Sequence, residues 1–154
     1  MAGTSPTLES LNLKAAKGKK VAIISAQWHP EICDNLATGA EMIFKSAEIE
    51  FETFTVSGSF ELPLAAQLKL DQGFDGAVVL GLVMRGDTAH FDYICEGVTA
   101  GVMQASLTRS KPIGFGVLMC DNLAQAKERS NIGLGIGNNG EEAALAVLAL
   151  WNLA

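Results

Sequence analysis

Apolar positions along this chain follow two periods that alternate from the N-terminal third to the C-terminus. Val21-Ala22-Ile23-Ile24-Ser25-Ala26 is a short, continuous apolar run rich in β-branched residues. Such a run predicts a strand buried on both faces, as in a parallel sheet. Trp28-His29-Pro30 interrupts it, and Pro30 with Glu31 suits the first turn of a helix. Ile32, Leu36, Ala40 and Ile43 put apolar side chains on one face of that helix, to about Lys45. Ile49 to Val56, rich in Phe, Thr, Ile and Val, predicts a second strand. After the turn Ser57-Gly58-Ser59, Phe60-Glu61-Leu62-Pro63 opens a helix that runs to about Leu70, with proline in the first turn where it is tolerated. Gly76 to Met84 is the most hydrophobic stretch and predicts the central strand. A helix follows from about Phe91 to Thr108, with Ile94, Val98, Val102 and Ala105 on one stripe. Ile113 to Met119 reads as the fourth strand, Asn122 to Arg129 as a short helix, and Ser130 to Gly140 as a glycine-rich connection. Glu141 to Leu153 closes the chain as a helix apolar on more than one face, which predicts burial between layers or between subunits. The polar segment 1–18 reads as a flexible N-terminal arm, and 19–154 as a single domain.

Strands that alternate with helices imply an α/β fold: a four-stranded parallel sheet with helices on both faces, a three-layer αβα sandwich joined by right-handed crossovers. Composition narrows the function classes. With 49% hydrophobic and 18% charged residues, the chain is neither a disordered segment nor a charged tail. A net charge of −6 without any lysine or arginine run argues against a nucleic-acid surface, so an anionic ligand needs local donors. Cys33, Cys95 and Cys120 are far apart and lack paired spacing, which argues against a disulfide framework or a zinc site. The first 18 residues hold no apolar leader core, and no apolar run reaches the roughly 18 residues of a membrane span. A cytoplasmic protein without membrane or metal is expected.

In an open parallel sheet, ligands bind beyond the carboxyl ends of the strands. The segments expected there carry residues unusual for plain loops. Arg85-Gly86-Asp87-Thr88-Ala89-His90 combines a tight glycine turn, a helix N-terminus that attracts phosphate or carboxylate, a hydroxyl and a titratable imidazole. Trp28 and Phe60 suit a flat heterocycle stacked between them. Glu61 sits in a first helical turn, and the guanidinium of Arg129 matches phosphate oxygens. Each also has a plain structural alternative. Thr88 can cap its helix, His90 can be a half-buried structural residue, the aromatics can belong to a core or interface, and Arg129 can be solvated. Gly133-x-Gly135-x-Gly137 follows a helix rather than a strand, so it is not a dinucleotide site. His29 has no second ligand at metal spacing.

Three blocks together resemble the lumazine synthase family. They are Gly58-Ser59-Phe60-Glu61-Leu62-Pro63-Leu64-Ala65, Val83-Met84-Arg85-Gly86-Asp87-Thr88-Ala89-His90-Phe91-Asp92-Tyr93, and Phe115-Gly116-Val117-Leu118 followed by Gln125-Ala126-Lys127-Glu128-Arg129. The resemblance runs from about Val21 to Leu153 and implies a flavodoxin-like sandwich. It implies condensation of 5-amino-6-(D-ribitylamino)uracil with 3,4-dihydroxy-2-butanone 4-phosphate to 6,7-dimethyl-8-ribityllumazine, a transferase step of riboflavin biosynthesis that needs no redox cofactor. It makes His90 the catalytic proton carrier. Trp28, Ser59, Phe60, Glu61, Leu82, Val83 and Met84 become the pyrimidine and ribityl site, with Phe115 closing it from a neighbouring subunit. Gly86, Asp87, Thr88 and Arg129 become the phosphate site. It also implies a homo-oligomer, a pentamer that in some members builds a sixty-subunit shell, with riboflavin synthase as a partner. Two residues depart from the family pattern: Asn139 stands where a phosphate-binding lysine is usual, and Asp87 where a neutral residue is usual. They leave two alternatives on the same fold, a shell-forming protein without turnover and a flavin- or lumazine-binding protein.

Overall fold

The computed structural model describes residues 6–131 and 137–153. Four strands, β1 (Lys20–Ala26), β2 (Glu50–Val56), β3 (Gly76–Met84) and β4 (Ile113–Cys120), form one sheet in the order β2-β1-β3-β4, every pair parallel. The helices between and after them are α1 (Pro30–Ser46), α2 (Leu62–Asp71), α3 (His90–Arg109), α4 (Leu123–Ser130) and α5 (Asn139–Trp151). The expected αβα sandwich is therefore present. Among these helices none is long and apolar enough to cross a membrane. Residues 132–136, within the expected glycine-rich connection, and residues 1–5 of the expected arm lie outside the described residues.

Successive strand side chains point to opposite faces, and the two cores follow that alternation. Val21 and Ile23 of β1, with Val78, Leu80 and Leu82 of β3, pack under Ile32, Leu36 and Phe44 of α1 and Ala144, Val147 and Leu148 of α5. Ala22, Ile24, Ala77 and Val79 pack on the other face under Leu62, Ala66 and Leu70 of α2 and Val98 and Val102 of α3. β3 lies inside the sheet, as expected, and buries seven successive residues from Gly76 to Leu82. β2 is an edge strand with no fully buried residue. Within the segment expected as an arm, Leu8–Ser10 and Leu13–Ala16 form two short 3-10 turns. Ala16 is buried, and Leu8, Leu11 and Leu13 pack against the α1–α5 core.

Side-chain caps set two helix starts. Asn122 accepts the Gln125 N–H at 3.0 Å and begins α4 at Leu123. Asn138, almost fully buried, accepts the N–H groups of Gly140 at 2.8 Å and Glu141 at 3.1 Å, so α5 begins two residues earlier than periodicity predicts. The Asn138 amide donates to the carbonyls of Asn35 and Ser130, each at 3.1 Å, which joins α1, the end of α4 and the start of α5. Gly140 lets α5 reach α1 here, because a β-carbon would run into the Leu36 carbonyl.

The β1–α1 connection carries the first site residues and is unusually constrained. His29 caps α1 in the left-handed region, at φ 51° and ψ 66°. Its carbonyl accepts the N–H groups of Ile32 and Cys33. The buried Cys33 thiol donates to the Trp28 carbonyl at 3.1 Å. Burial pushes that thiol up to about 11, with nearby Asp34 acting in the same direction.

Two outcomes follow. Gly140→Ala is expected to destabilise the fold by about 1–3 kcal/mol through overpacking, whereas Gly86→Ala, which meets open space, is expected to leave stability unchanged. Equal urea midpoints for both variants would show that the α1–α5 approach is not tight. The native Cys33 is expected to resist iodoacetamide at pH 8 and to label only after denaturation, because the thiolate is the reactive form. Peptide mass spectrometry reads this directly, and rapid native labelling of Cys33 would contradict the burial.

Candidate active site

The sheet order contains one reversal. From β1 the chain moves outward to β2, then returns past β1 to β3 and β4. Beyond β1 the chain turns to α1 on one face, and beyond β3 it turns to α3 on the other. Diverging connections leave a crevice at the carboxyl ends of these two strands.

A cavity of about 460 Å³ occupies that crevice. Four segments line it: Trp28 and His29 after β1; Gly58, Ser59, Phe60 and Glu61 after β2; Leu82, Val83 and Met84 at the end of β3; and His90 and Ile94 at the start of α3. Leu82 is buried and the exposed rings of Trp28 and Phe60 stand at 66% and 59% accessibility, so an apolar floor meets two open aromatic faces. Ser59, Phe60 and Glu61 form a single 3-10 turn leading into α2, which points three consecutive residues at one place. A β-carbon at Gly58 would lie 3.2 Å from the Glu61 carboxylate and 3.4 Å from the Trp28 indole, so these segments meet beside Gly58. The Ser59 hydroxyl is buried and has no hydrogen-bond partner among the described residues. An orphaned hydroxyl beside a cavity is a group that a ligand can satisfy.

The structure brings eight expected residues into this one cavity: Trp28, Ser59, Phe60, Glu61, Leu82, Val83, Met84 and His90. The other five do not line it. Gly86, Asp87 and Thr88 are exposed on the β3–α3 turn. Thr88 Oγ1 accepts the His90 N–H at 3.4 Å. Phe115 is 39% exposed on β4, and Arg129 lies exposed near the end of α4, where it donates to the Gln125 carbonyl at 3.2 Å. Three lining residues were not anticipated for the site: His29, Gly58 and Ile94. The position of His29 beside Trp28 was visible in the sequence, but its left-handed backbone was not. Strained conformations of non-glycine residues concentrate at functional sites.

Chemically, the cavity offers stacking from two aromatic faces, an acceptor at Glu61, and imidazoles at His29 and His90 that can move protons. At the root of the β3–α3 turn, Arg85 Nε donates to Asp121 Oδ1 at 2.7 Å, and this bond raises the guanidinium's hold on its proton.

Comparison with known proteins agrees with this geometry. Residues 18–154 match the model of the 6,7-dimethyl-8-ribityllumazine synthase family. A protein of that name from Streptomyces coelicolor is 41% identical over 90% of this chain and 87% of its own length. Its namesake from Paenarthrobacter aurescens is 43% identical over 94% of this chain and 91% of its own. Another from Micrococcus luteus is 44% identical over 91% of this chain and 87% of its own. Identity at this level, across nearly all of the fold and all four cavity-lining segments, means that the chain belongs to the 6,7-dimethyl-8-ribityllumazine synthase family.

Proposed function

We propose that this protein condenses 5-amino-6-(D-ribitylamino)uracil with 3,4-dihydroxy-2-butanone 4-phosphate to form 6,7-dimethyl-8-ribityllumazine, releasing phosphate and water. The observation that carries the reading is the gathering of eight expected residues around one cavity at the sheet's reversal point. The pyrimidine stacks between Trp28 and Phe60, over Leu82, Val83 and Met84. Ser59 and Glu61 hydrogen-bond the pyrimidine and the ribityl chain. The aromatic 5-amino group attacks the butanone carbonyl and loses water to give an imine. Phosphate then leaves, and the ribityl-bearing nitrogen closes the second ring with loss of another water. His90 moves the protons that these steps require. Every step is a proton or group transfer, and no electrons are gained or lost.

The phosphate half of the site is completed by a second copy of the chain. Phe115 and Arg129 lie outside their own chain's cavity, whereas Trp28, Phe60, Leu64, Tyr93 and Leu107 are between 59% and 72% exposed. Large apolar side chains left in the open point to an association surface. A neighbour's β4 and α4 then bring Phe115 over the pyrimidine and Arg129 to the phosphate, beside Gly86, Asp87 and Thr88 of the first chain. The proposed assembly is a pentamer, which can extend to a sixty-subunit shell with riboflavin synthase as a partner, in the cytoplasm.

The purified protein is expected to form lumazine, followed by its absorbance when both substrates are present. No product above the spontaneous rate, with the assembly intact, would sink the proposal. His90→Ala is expected to lower kcat by roughly a hundredfold, within the range of general acid–base catalysis, without changing the assembly. Subunits carrying His90→Ala, unfolded and refolded with subunits carrying Arg129→Ala, are expected to regain turnover that neither variant has alone. Mixed assemblies as inactive as their parents would place both residues in one chain's site. Asn139→Lys is expected to lower the KM for the butanone phosphate, and an unchanged KM would remove that position from the phosphate site.

A further inference from the structure

Arg85 stands in the same turn as His90, and its obvious role is to bind phosphate. Its contacts point elsewhere. The backbone N–H of Arg85 donates to the Cys120 carbonyl at 2.9 Å, continuing the β3–β4 pairing one residue beyond the strand ends. Its Nε donates to Asp121 Oδ1 at 2.7 Å, and its Nη1 lies 3.6 Å from Asp92 Oδ1. Its guanidinium sits 4.4 Å from the centre of the Phe91 ring, which is itself buried. Asp121 is fixed in turn, because its N–H donates to Gln125 Oε1 at 2.7 Å. One side chain thus reaches both residues that follow His90, and ties them to the end of β4.

Besides Arg85, the start of α3 is held by the N–H groups of Asp92 and Tyr93 on the Ala89 carbonyl, at 3.1 Å and 3.4 Å, bonds internal to its first turn that do not tie it to the sheet. Gly86 has open space around it, and residues 86–89 are all exposed. The side-chain hydrogen bond at His90 is a long one, from its backbone N–H to Thr88 Oγ1 at 3.4 Å. The pairs of Arg85 are themselves exposed, and exposed ion pairs add little to global stability. Their effect is geometric. They connect the first turn of α3, where His90 meets the cavity, to Asp121 just past β4.

We propose that Arg85 is a positioning residue that sets the place of His90 through Phe91 and Asp92, with Asp121 as its anchor, and is not a ligand of the phosphate. The inference rests on the reading of His90 as the proton carrier. A phosphate-binding arginine and a positioning arginine respond oppositely to removal of Asp121. Freed from its carboxylate, a phosphate ligand binds phosphate better, whereas a positioning arginine loses its anchor.

The test is steady-state kinetics of lumazine formation by the assembled protein carrying Asp121→Ala, Arg85→Lys or Arg85→Met. Placement errors on the scale of an ångström can cost orders of magnitude in rate. Asp121→Ala is expected to lower kcat about tenfold, with the KM for the butanone phosphate within about twofold of wild type. Arg85→Met is expected to lower kcat further. Arg85→Lys is expected to recover little, because a lysine point charge cannot reach Asp121 and Asp92 as a planar fork does. Melting temperatures of all three are expected to stay close to wild type. A lower KM for the phosphate substrate in Asp121→Ala, or wild-type kcat in Asp121→Ala or in Arg85→Met, overturns the inference and leaves the proposed reaction standing. Absence of turnover in the wild-type protein overturns the reaction itself.

Discussion

Pairing on both sides is the constraint from which the rest of this structure follows. β1 and β3 are apolar along almost their whole length, so each needs a helical layer over both faces and a strand along both edges. The chain meets this need by placing β2 outside β1 and β4 outside β3. That order puts the carboxyl ends of β1 and β3 side by side while their following helices leave toward opposite faces. The cavity between them is a consequence of burying these two strands, and the residues just past each strand end inherit the site.

This dependence explains which parts were legible in the sequence. The strands were legible because continuous apolar runs such as Val21–Ile24 and Gly76–Met84 have little choice but the sheet interior. Trp28, Phe60, Glu61 and His90 were legible for the same reason, since a loop residue's place is known once its strand is known, whereas Ser59, Leu82, Val83 and Met84 entered as site residues through the family resemblance. Helix starts were less so. Asn138 read equally well as a loop residue, and only the N–H groups it accepts reveal it as a cap. Leu8, Leu11 and Leu13 were hidden in a polar segment, because no period links them to the core they touch. The left-handed His29 was hidden because a non-glycine residue carries no local signal for that conformation.

The division of the expected site was foreseen only in part: the family resemblance put Phe115 on a neighbouring subunit, but the residues of this chain gave no such signal for Arg129. A sequence can rank residues as site candidates, but it has no measure of which ones share a cavity. Trp28 and His90 sit past strands that flank the reversal, whereas Phe115 lies within β4 at the sheet edge and Arg129 on the helix after it. No local rearrangement of side chains moves an edge strand to the centre of its sheet. On the proposed reading, the missing half must come from outside the chain.

Electrostatics lead to the same point. The chain carries a net charge of −6, so its overall field repels a phosphate substrate rather than drawing it in. The cation nearest in sequence to the proposed catalytic histidine, Arg85, is held by Asp121 and approached by Asp92, which leaves its charge largely compensated. Asp87 adds a further carboxylate to the same turn. A dianion placed there gains from backbone N–H groups and the Thr88 hydroxyl, but it meets no uncompensated positive charge among the described residues of that turn. Arg129 of a neighbouring copy supplies that charge in the proposed assembly. Binding of the pyrimidine would then need one chain, but binding of the phosphate would need two. On the proposed reading, assembly and turnover are coupled by charge as well as by shape: a separated subunit would keep its aromatic cleft and its proposed proton carrier, and lose the cation proposed to steady the leaving phosphate.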